Sequence, residues 1–250
     1  MVDFEFAEKC PLCGGKGVFY KDGKETSTGM VVKTDKCLEC GVIYQNPRMT
    51  RESIIKYYSS GKYHLTHPPG TDSEKARSNR VMNIIRGLEM FPSRALDIGC
   101  GRGLLLKTLQ DNFNTEIVGV DLYKMAGLAI DKLVKRKEDV KGKFDLIISL
   151  QALEHAYDPQ EELRWMVDRL DTGGTIILEL PMKEKIYLPH VFNFSQMSSK
   201  LMLMRMGLKF IYLEYANNGM FLIGEHFANV RVTNLVSTIG ADQVYEGMYH

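Results

Sequence analysis

Ala95-Leu96-Asp97-Ile98-Gly99-Cys100-Gly101-Arg102-Gly103 is a glycine-rich turn set between a strand-like run and a helix-like run. Arg94–Ile98 ahead of it is a short strand-like run, and Leu104–Leu109 behind it has helical spacing. Glycines between a strand and a helix let the chain turn sharply and let a ligand approach the backbone closely. A dinucleotide fingerprint, G-x-G-x-x-G, needs its last glycine at the position of Leu104. The spacing here is G-x-G-x-G, with Asp97 two residues ahead of the first glycine, which argues against a dehydrogenase. Cys100 inside the loop reads as a small packing residue rather than a nucleophile.

Outward from the loop, Ile117–Leu122 is a second strand that carries Asp121 at its end, 22 residues past Gly99. A carboxylate there can accept hydrogen bonds from both hydroxyls of a ribose. Loop and carboxylate together point to a ribose-containing cofactor. Phe144–Leu150 is a further strand, and Leu163, Met166, Val167 and Leu170 form a helical stripe. The turn Gly173–Gly174 leads into a strand over Thr175–Leu180. A helix near 195–206 follows, its Met-rich run Met197–Met206 read as core packing. Lys209–Tyr215 and Met220–Glu225 are two strands joined by a hairpin turn at Asn217, Asn218 and Gly219. Apolar strands alternating with helices predict an α/β fold with a largely parallel sheet covered on both faces.

Upstream, residues 48–93 are helical and connecting. Thr50 is placed to cap a helix carrying Ile54, Ile55 and Tyr58, and Val81, Ile84, Ile85, Leu88 and Phe91 recur at helical spacing. Residues 1–47 are rich in Cys, Gly and Lys and read as a loop-rich module that needs an internal staple. Cys10-x₂-Cys13 and Cys37-x₂-Cys40 supply it: two knuckles, each followed by a glycine (Gly14, Gly41), bring four thiolates to one tetrahedral ion. Zinc in a closed structural site is the expectation, with iron the alternative.

These motifs resemble a known family. ALDIGCGRG at 95–103, GVDL at 119–122, FDLIISLQALEH at 144–155 and LDTGGTIILELP at 170–181 are similar, in order, to the motifs of class I S-adenosylmethionine-dependent methyltransferases. The resemblance implies a Rossmann-like seven-stranded sheet with an antiparallel C-terminal hairpin. It implies that Asp97, Gly99, Cys100, Gly101 and Gly103 surround the methionine part of S-adenosylmethionine. Asp121 would hold the ribose with Leu122 beside it, and Ser149, Leu150 and Gln151 would line the pocket. Only 22 residues separate Asp121 from Phe144, fewer than the family's usual helix, third strand and loop, so a short or irregular third strand is expected. Glu138 and Asp139 are the candidates there for the adenine contact. The segment Cys37–Pro47, with Ile54–Tyr58 and Tyr63, resembles the N-terminal zinc-ribbon-like segment of zinc-containing sugar C-methyltransferases, where it helps close the active site. Those enzymes carry a further large C-terminal domain, which these 250 residues do not contain. The domain reading is a zinc module over 1–47, a helical linker or lid over 48–93, and the methyltransferase domain over 94–250.

Methyl transfer is an in-line displacement for which alignment and water exclusion supply much of the rate. A base is needed only where the acceptor must lose a proton. His155 follows the fourth strand and His190 the fifth, both at the carboxyl edge of the sheet where open α/β proteins bind ligands. With Tyr63 in the pre-core loop, they are the candidate catalytic residues.

Composition narrows the partners. Lys and Arg total 32 against 31 Asp and Glu, so no general attraction to nucleic acid or anionic membrane is expected. The basic stretch Lys132–Lys143 is interrupted by Glu138 and Asp139 and reads as a solvated surface. No apolar run is long enough to span a bilayer, and Met1–Lys9 has acidic residues and no signal core. With two CxxC pairs among five cysteines, a cytoplasmic location is expected. The leading reading is a methyltransferase for a small polar metabolite, a sugar or nucleotide-sugar among the candidates, by O- or C-methylation. A nucleic-acid or protein methyltransferase with the zinc module as reader is the alternative. It lacks its amino-methylating motif, because Gln151-Ala152-Leu153-Glu154 stands where Asn/Asp-Pro-Pro-Tyr/Phe would be. A non-catalytic cofactor-binding scaffold is the third reading.

Overall fold

The computed structural model describes residues 2–24, 29–61, 71–181, 188, 190–216 and 219–226. Its centre is a seven-stranded sheet built from β6 (Arg94–Ile98), β7 (Glu116–Val120), β8 (Leu133–Val134), β9 (Phe144–Leu150), β10 (Leu170–Pro181), β12 (Leu208–Ala216) and β13 (Gly219–His226). The spatial order is β12-β13-β10-β9-β6-β7-β8. Strands β10, β9, β6, β7 and β8 run parallel, and β13 lies antiparallel between β10 and β12. The order reverses at β6, so a crevice opens at the carboxyl ends of β6 and β9, the place where such sheets bind ligands.

Both faces of the sheet are buried, as its unbroken apolar strands require. Helices α2 (Thr71–Gly87) and α3 (Leu104–Phe113) cover one face through Val81, Ile85, Leu106 and Leu109, packed on Ala95, Ile117, Leu146 and Ile148. Helices α4 (Pro159–Val167) and α5 (Gln196–Arg205) cover the other, where Leu163, Met166, Met202 and Leu203 meet Leu96, Val118, Ile147 and Leu178. Each such wholly buried side chain contributes roughly 1.5–3 kcal/mol relative to exposure.

The four-cysteine segment packs into this second cluster rather than hanging from it. Its strands β2 (Gly17–Lys24), β3 (Val31–Cys37) and β4 (Ile43–Gln45) form an antiparallel sheet whose fourth strand, β11 (Phe192–Asn193), comes from the chain after β10. Phe192 pairs with Tyr44 and Asn193 with Ile43. A second small sheet joins β1 (Phe4–Glu5) to β5 (Arg48–Met49). The expectation of a loop-rich segment is corrected here: a long hairpin lies between the two cysteine pairs. Helix α1 (Arg51–Ser59) follows, with Thr50 accepting from the Ser53 amide as its cap.

Other local readings are refined. Phe91 lies beyond α2 and is 78% exposed, its ring edge-on to Phe113. Leu170 begins β10 instead of ending α4, and Gly173–Gly174 lie inside that strand rather than in a turn, at a register shift between Leu170 and Thr175. In the Met-rich run only one face is core: Met202 is buried, whereas Met197 and Met204 are 65% and 66% exposed. The third strand has two residues, as the short span between Asp121 and Phe144 dictates. The turn Asn217–Asn218 lies outside the described residues. No helix among the described residues is long and apolar enough to cross a membrane.

Candidate active site and metal centre

The four sulfurs of Cys10, Cys13, Cys37 and Cys40 lie within 4.8 Å of one another. Cys10 and Cys40 are 3.8 Å apart and Cys13 and Cys37 3.3 Å. A disulfide is excluded at such separations, since its sulfurs would sit about 2.0 Å apart. Thiolates about 2.3 Å from one tetrahedral ion are about 3.8 Å apart, so the cluster fits zinc. Each knuckle closes as its spacing demands: the Gly14 amide donates to the Cys10 carbonyl at 2.8 Å, and the Gly41 amide to the Cys37 carbonyl at 3.1 Å. Both glycines are left-handed, at φ 77° and 71°, which a side chain would oppose. The Cys40 thiol bonded to Cys10 pulls the latter's pKa down to about 5, and the same bond together with burial pushes Cys40 far up.

At the crevice, Gly99, Gly101 and Gly103 all have positive φ. A Cβ on Gly99 would meet the Ala152 methyl at 2.7 Å, and one on Gly103 would meet Ile130 at 2.6 Å. A Cβ on Gly101 would find only the Met125 sulfur at 3.8 Å, so the loop is closed at its ends and open at its middle. Gly103 caps α3 without a side chain, which leaves the amides of the first turn for an anion. Asp121 Oδ2 accepts from the Gly101 amide at 2.9 Å and Oδ1 from the Tyr123 amide at 3.0 Å. Those bonds fix the carboxylate against the loop. Leu122 beside it is 40% exposed. Asp97 is buried at the end of β6. Burial first, then the Asp121 charge, pushes it up to about 8, against the opposing pull of Arg77. Burial also pushes up the thiol of Cys100, which packs against Gly119.

At the end of β9, Ser149 is wholly buried and its hydroxyl has no hydrogen-bond partner among the described residues. Leu150 is half-buried. Gln151 turns left-handed at φ 53°, its amide bonded to the Glu179 carbonyl at 2.9 Å and its side chain to the Glu179 carboxylate at 3.2 Å. A non-glycine residue in that region signals a position held by its surroundings. Glu138 and Asp139 are exposed, and Glu138 pairs with Arg136.

The two candidate histidines are brought together although 35 positions separate them in the chain. Their rings stand edge-on with centroids 4.7 Å apart, and Tyr58 lies 5.3 Å from His155. His155 ends a 3₁₀ turn, Leu153–His155, directly after β9. Arg48 donates to the Tyr157 carbonyl at 2.9 Å and stacks on the Tyr157 ring, while Arg51 grips Glu161 with both amines. The segment before the core is thereby docked onto the loop that carries His155. Tyr63 lies outside the described residues.

Three groups escaped the sequence reading. Glu154 is wholly buried beside His155, and its signal was the Glu-His pair directly after a strand. Gln45 donates to the carbonyls of Leu188 and His190 at 3.1 and 2.8 Å. Nothing local in the sequence marks it, because its role depends on β4 pairing with β11. Arg77 on α2 pairs with the buried Glu179 at 2.7 Å and so reaches the end of β10. An open depression of about 810 Å³ bordered by Phe91, Lys107 and Phe113 lies at the far end of α3 from the glycine loop and holds none of these groups.

A methyltransferase-domain family model matches residues 74–221, more than half of the chain. A ubiquinone biosynthesis O-methyltransferase of Xanthomonas euvesicatoria pv. vesicatoria (strain 85-10) is 31% identical over 114 residues, 40% of this chain and 47% of that protein. A cyclopropane-fatty-acyl-phospholipid synthase of Escherichia coli (strain K12) is 34% identical over 92 residues, 33% of this chain and 24% of that protein. The chain thus spans about half or less of the length of these curated relatives. Among solved structures, a Burkholderia thailandensis 1,6-didemethyltoxoflavin-N1-methyltransferase with bound S-adenosylhomocysteine superposes with a TM-score of 0.58 at 11% identity, over 83% of this chain and 99% of that one. A magnesium protoporphyrin IX methyltransferase from Synechocystis PCC 6803 with bound S-adenosylmethionine gives a TM-score of 0.54 at 15% identity, over 70% and 96%. This chain belongs to the methyltransferase-domain family and has the fold of the class I S-adenosylmethionine-dependent methyltransferases.

Proposed function

We propose that this chain methylates a hydroxyl or an acidic carbon of a small polar metabolite, a sugar or nucleotide-sugar being the class its N-terminal segment favours. The observation that carries the reading is one juxtaposition. The glycine loop and Asp121 share a sheet edge with the buried pair His155 and His190, and Gly99 touches Ala152 of the strand-to-turn link that leads to His155. When bound, S-adenosylmethionine supplies a methyl group activated by its sulfonium. Asp121 holds the ribose, Gly101 and the amides opening α3 accommodate the methionine end, and Asp97 lies beneath it. An amine acceptor needs no base, whereas a hydroxyl or carbon acid must lose a proton, and two adjacent imidazoles suit that task. The histidines and Tyr63 contact the acceptor. We read residues 1–47 as the zinc module, 48–93 as a linker and lid, and 94–250 as the methyltransferase domain. The module acts from one side of the acceptor mouth, because β4 holds the segment that carries His190.

The test is calorimetry with S-adenosylmethionine, followed by methyl transfer to a panel of sugars, nucleotide-sugars and catechols. Asp121→Ala should weaken binding of the methyl donor by roughly 1–3 kcal/mol, through loss of charge-assisted hydrogen bonds. Tight binding of a nicotinamide dinucleotide in place of the methyl donor defeats the proposal.

Asp97 gives a pH dependence of known sign. Below about 8 the free protein keeps this carboxyl protonated. A cationic ligand beside it favours the ionised form, so binding expels a proton and affinity rises with pH until about 8, then levels. Calorimetry of the methyl donor in buffers of different ionisation enthalpy should detect the released proton, and Asp97→Asn should abolish that release. An affinity flat from pH 6 to 8 shows that the ligand's charge lies elsewhere.

A further inference from the structure

We propose that Glu154, His155 and His190 form a second metal centre, which takes one divalent transition cation and leaves part of its coordination sphere open to the acceptor. One carboxylate and two imidazoles converge here, with donor atoms all within 4.8 Å of one another. Glu154 Oε1 stands 3.6 Å from His155 Nε2, too far for a hydrogen bond. Ligands bound at about 2.1 Å to one ion are roughly 3.0–3.4 Å apart, so a small inward movement completes the site.

Burial and donor chemistry agree with the geometry. Glu154, His155 and His190 are 0%, 8% and 2% exposed. A dication placed among buried donors is drawn to the carboxylate more strongly than it would be in water. Two imidazoles and a carboxylate on one side of an ion suit manganese, iron, cobalt or zinc and leave positions free. The four-cysteine centre is the opposite type, closed and all-thiolate. The two centres are joined through the fold: β4 follows the second knuckle, and its Gln45 holds the His190 carbonyl at 2.8 Å. His190 is thereby set from the zinc side and His155 from the sheet.

The ion would sit at the end of β9, beside the glycine loop. With the ion bound, the two imidazoles would serve as its ligands rather than as the base, and an acceptor hydroxyl on the ion would ionise more readily, its proton passing to water with no change of oxidation state. That step rests on the acceptor meeting the two histidines, as proposed above; binding of the ion does not.

The experiment titrates manganese(II) chloride into the full-length, zinc-loaded chain and follows the free Mn²⁺ signal by electron paramagnetic resonance. Manganese is chosen because four thiolates hold it poorly and oxygen and nitrogen ligands hold it well. The expected result is about one Mn²⁺ per chain, weakened about tenfold or more in Glu154→Gln and in His190→Asn. Zinc content and S-adenosylhomocysteine affinity should stay unchanged, which verifies that the variants fold. If Glu154→Gln loses that affinity, His155→Gln replaces it. No Mn²⁺ uptake by the wild-type chain, or uptake undiminished in the variants, overturns the metal centre. If Mn²⁺ binds but the variants turn over an identified acceptor normally, the metal centre stands and the acceptor position is wrong. If Mn²⁺ does not bind while His155→Ala loses turnover, the acceptor position stands and the metal centre is wrong.

Discussion

Replacing Cys40 by serine is expected to empty the four-cysteine centre and unfold the segment around it, lowering stability by several kcal/mol. Structural zinc contributes on the order of 10–16 kcal/mol to isolated zinc-finger peptides, because the ordered ligands exist only with the ion. Part of that is retained here, since Leu12, Val42 and Tyr44 are buried in the main core and continue to favour the folded segment. Part is lost beyond the ligands themselves. The Leu12 carbonyl accepts from Arg205 at 3.1 Å and from Gln160, so the first knuckle is tied to α5 and α4. Metal analysis should fall from about one zinc per chain to near zero. Thermal unfolding should begin at a lower temperature, and proteolysis should open the hairpin of β2 and β3 first. Cys40 is wholly buried, so an unchanged unfolding curve with the zinc gone would mean that packing alone holds the module. Retained zinc would mean that three thiolates suffice.

The parts of this molecule legible in the sequence were those whose physics is local. A glycine loop needs positive φ whatever surrounds it, and all three glycines have it. Two CxxC pairs imply a shared ion, and their knuckles close with the expected glycines. Strand and helix periods reported the sheet because both faces are buried, while Phe91 and Leu170 were misread because a helical period does not mark where a helix ends. What the sequence concealed was tertiary. Strand β11 has two residues and no pattern of its own, yet it carries the zinc sheet onto the core. Gln45 and Arg77 look like surface residues until β4 meets β11 and α2 meets Glu179. His155 and His190 were placed at one edge of the sheet from their strands, but their edge-on ring contact was not, since each follows a different strand.

The second large effect is kinetic, and it separates residues that touch the acceptor from one that only positions them. His155→Ala and His190→Ala should each lower turnover by on the order of 10²-fold or more, with the affinity for S-adenosylhomocysteine nearly unchanged. The separation follows from position. Donor groups lie in the glycine loop and on Asp121, while the histidines follow β9 and β10 and meet each other. Gln45→Leu acts through His190: it removes the two bonds to the Leu188 and His190 carbonyls while both imidazoles are kept in the chain. A smaller loss is expected there, of about tenfold, from a ring displaced by a fraction of an ångström, and it should fall on kcat more than on KM. Gln45→Glu keeps the shape but cannot donate both bonds, so it should behave like the leucine variant. A merely structural role would lower the melting temperature of these variants without that kinetic pattern. Normal turnover in both histidine variants would move the acceptor away from this edge of the sheet. Normal turnover in the Gln45 variants alone would mean that pairing of β11 with β4 suffices to hold His190, and that the zinc module reaches the chemistry through its backbone.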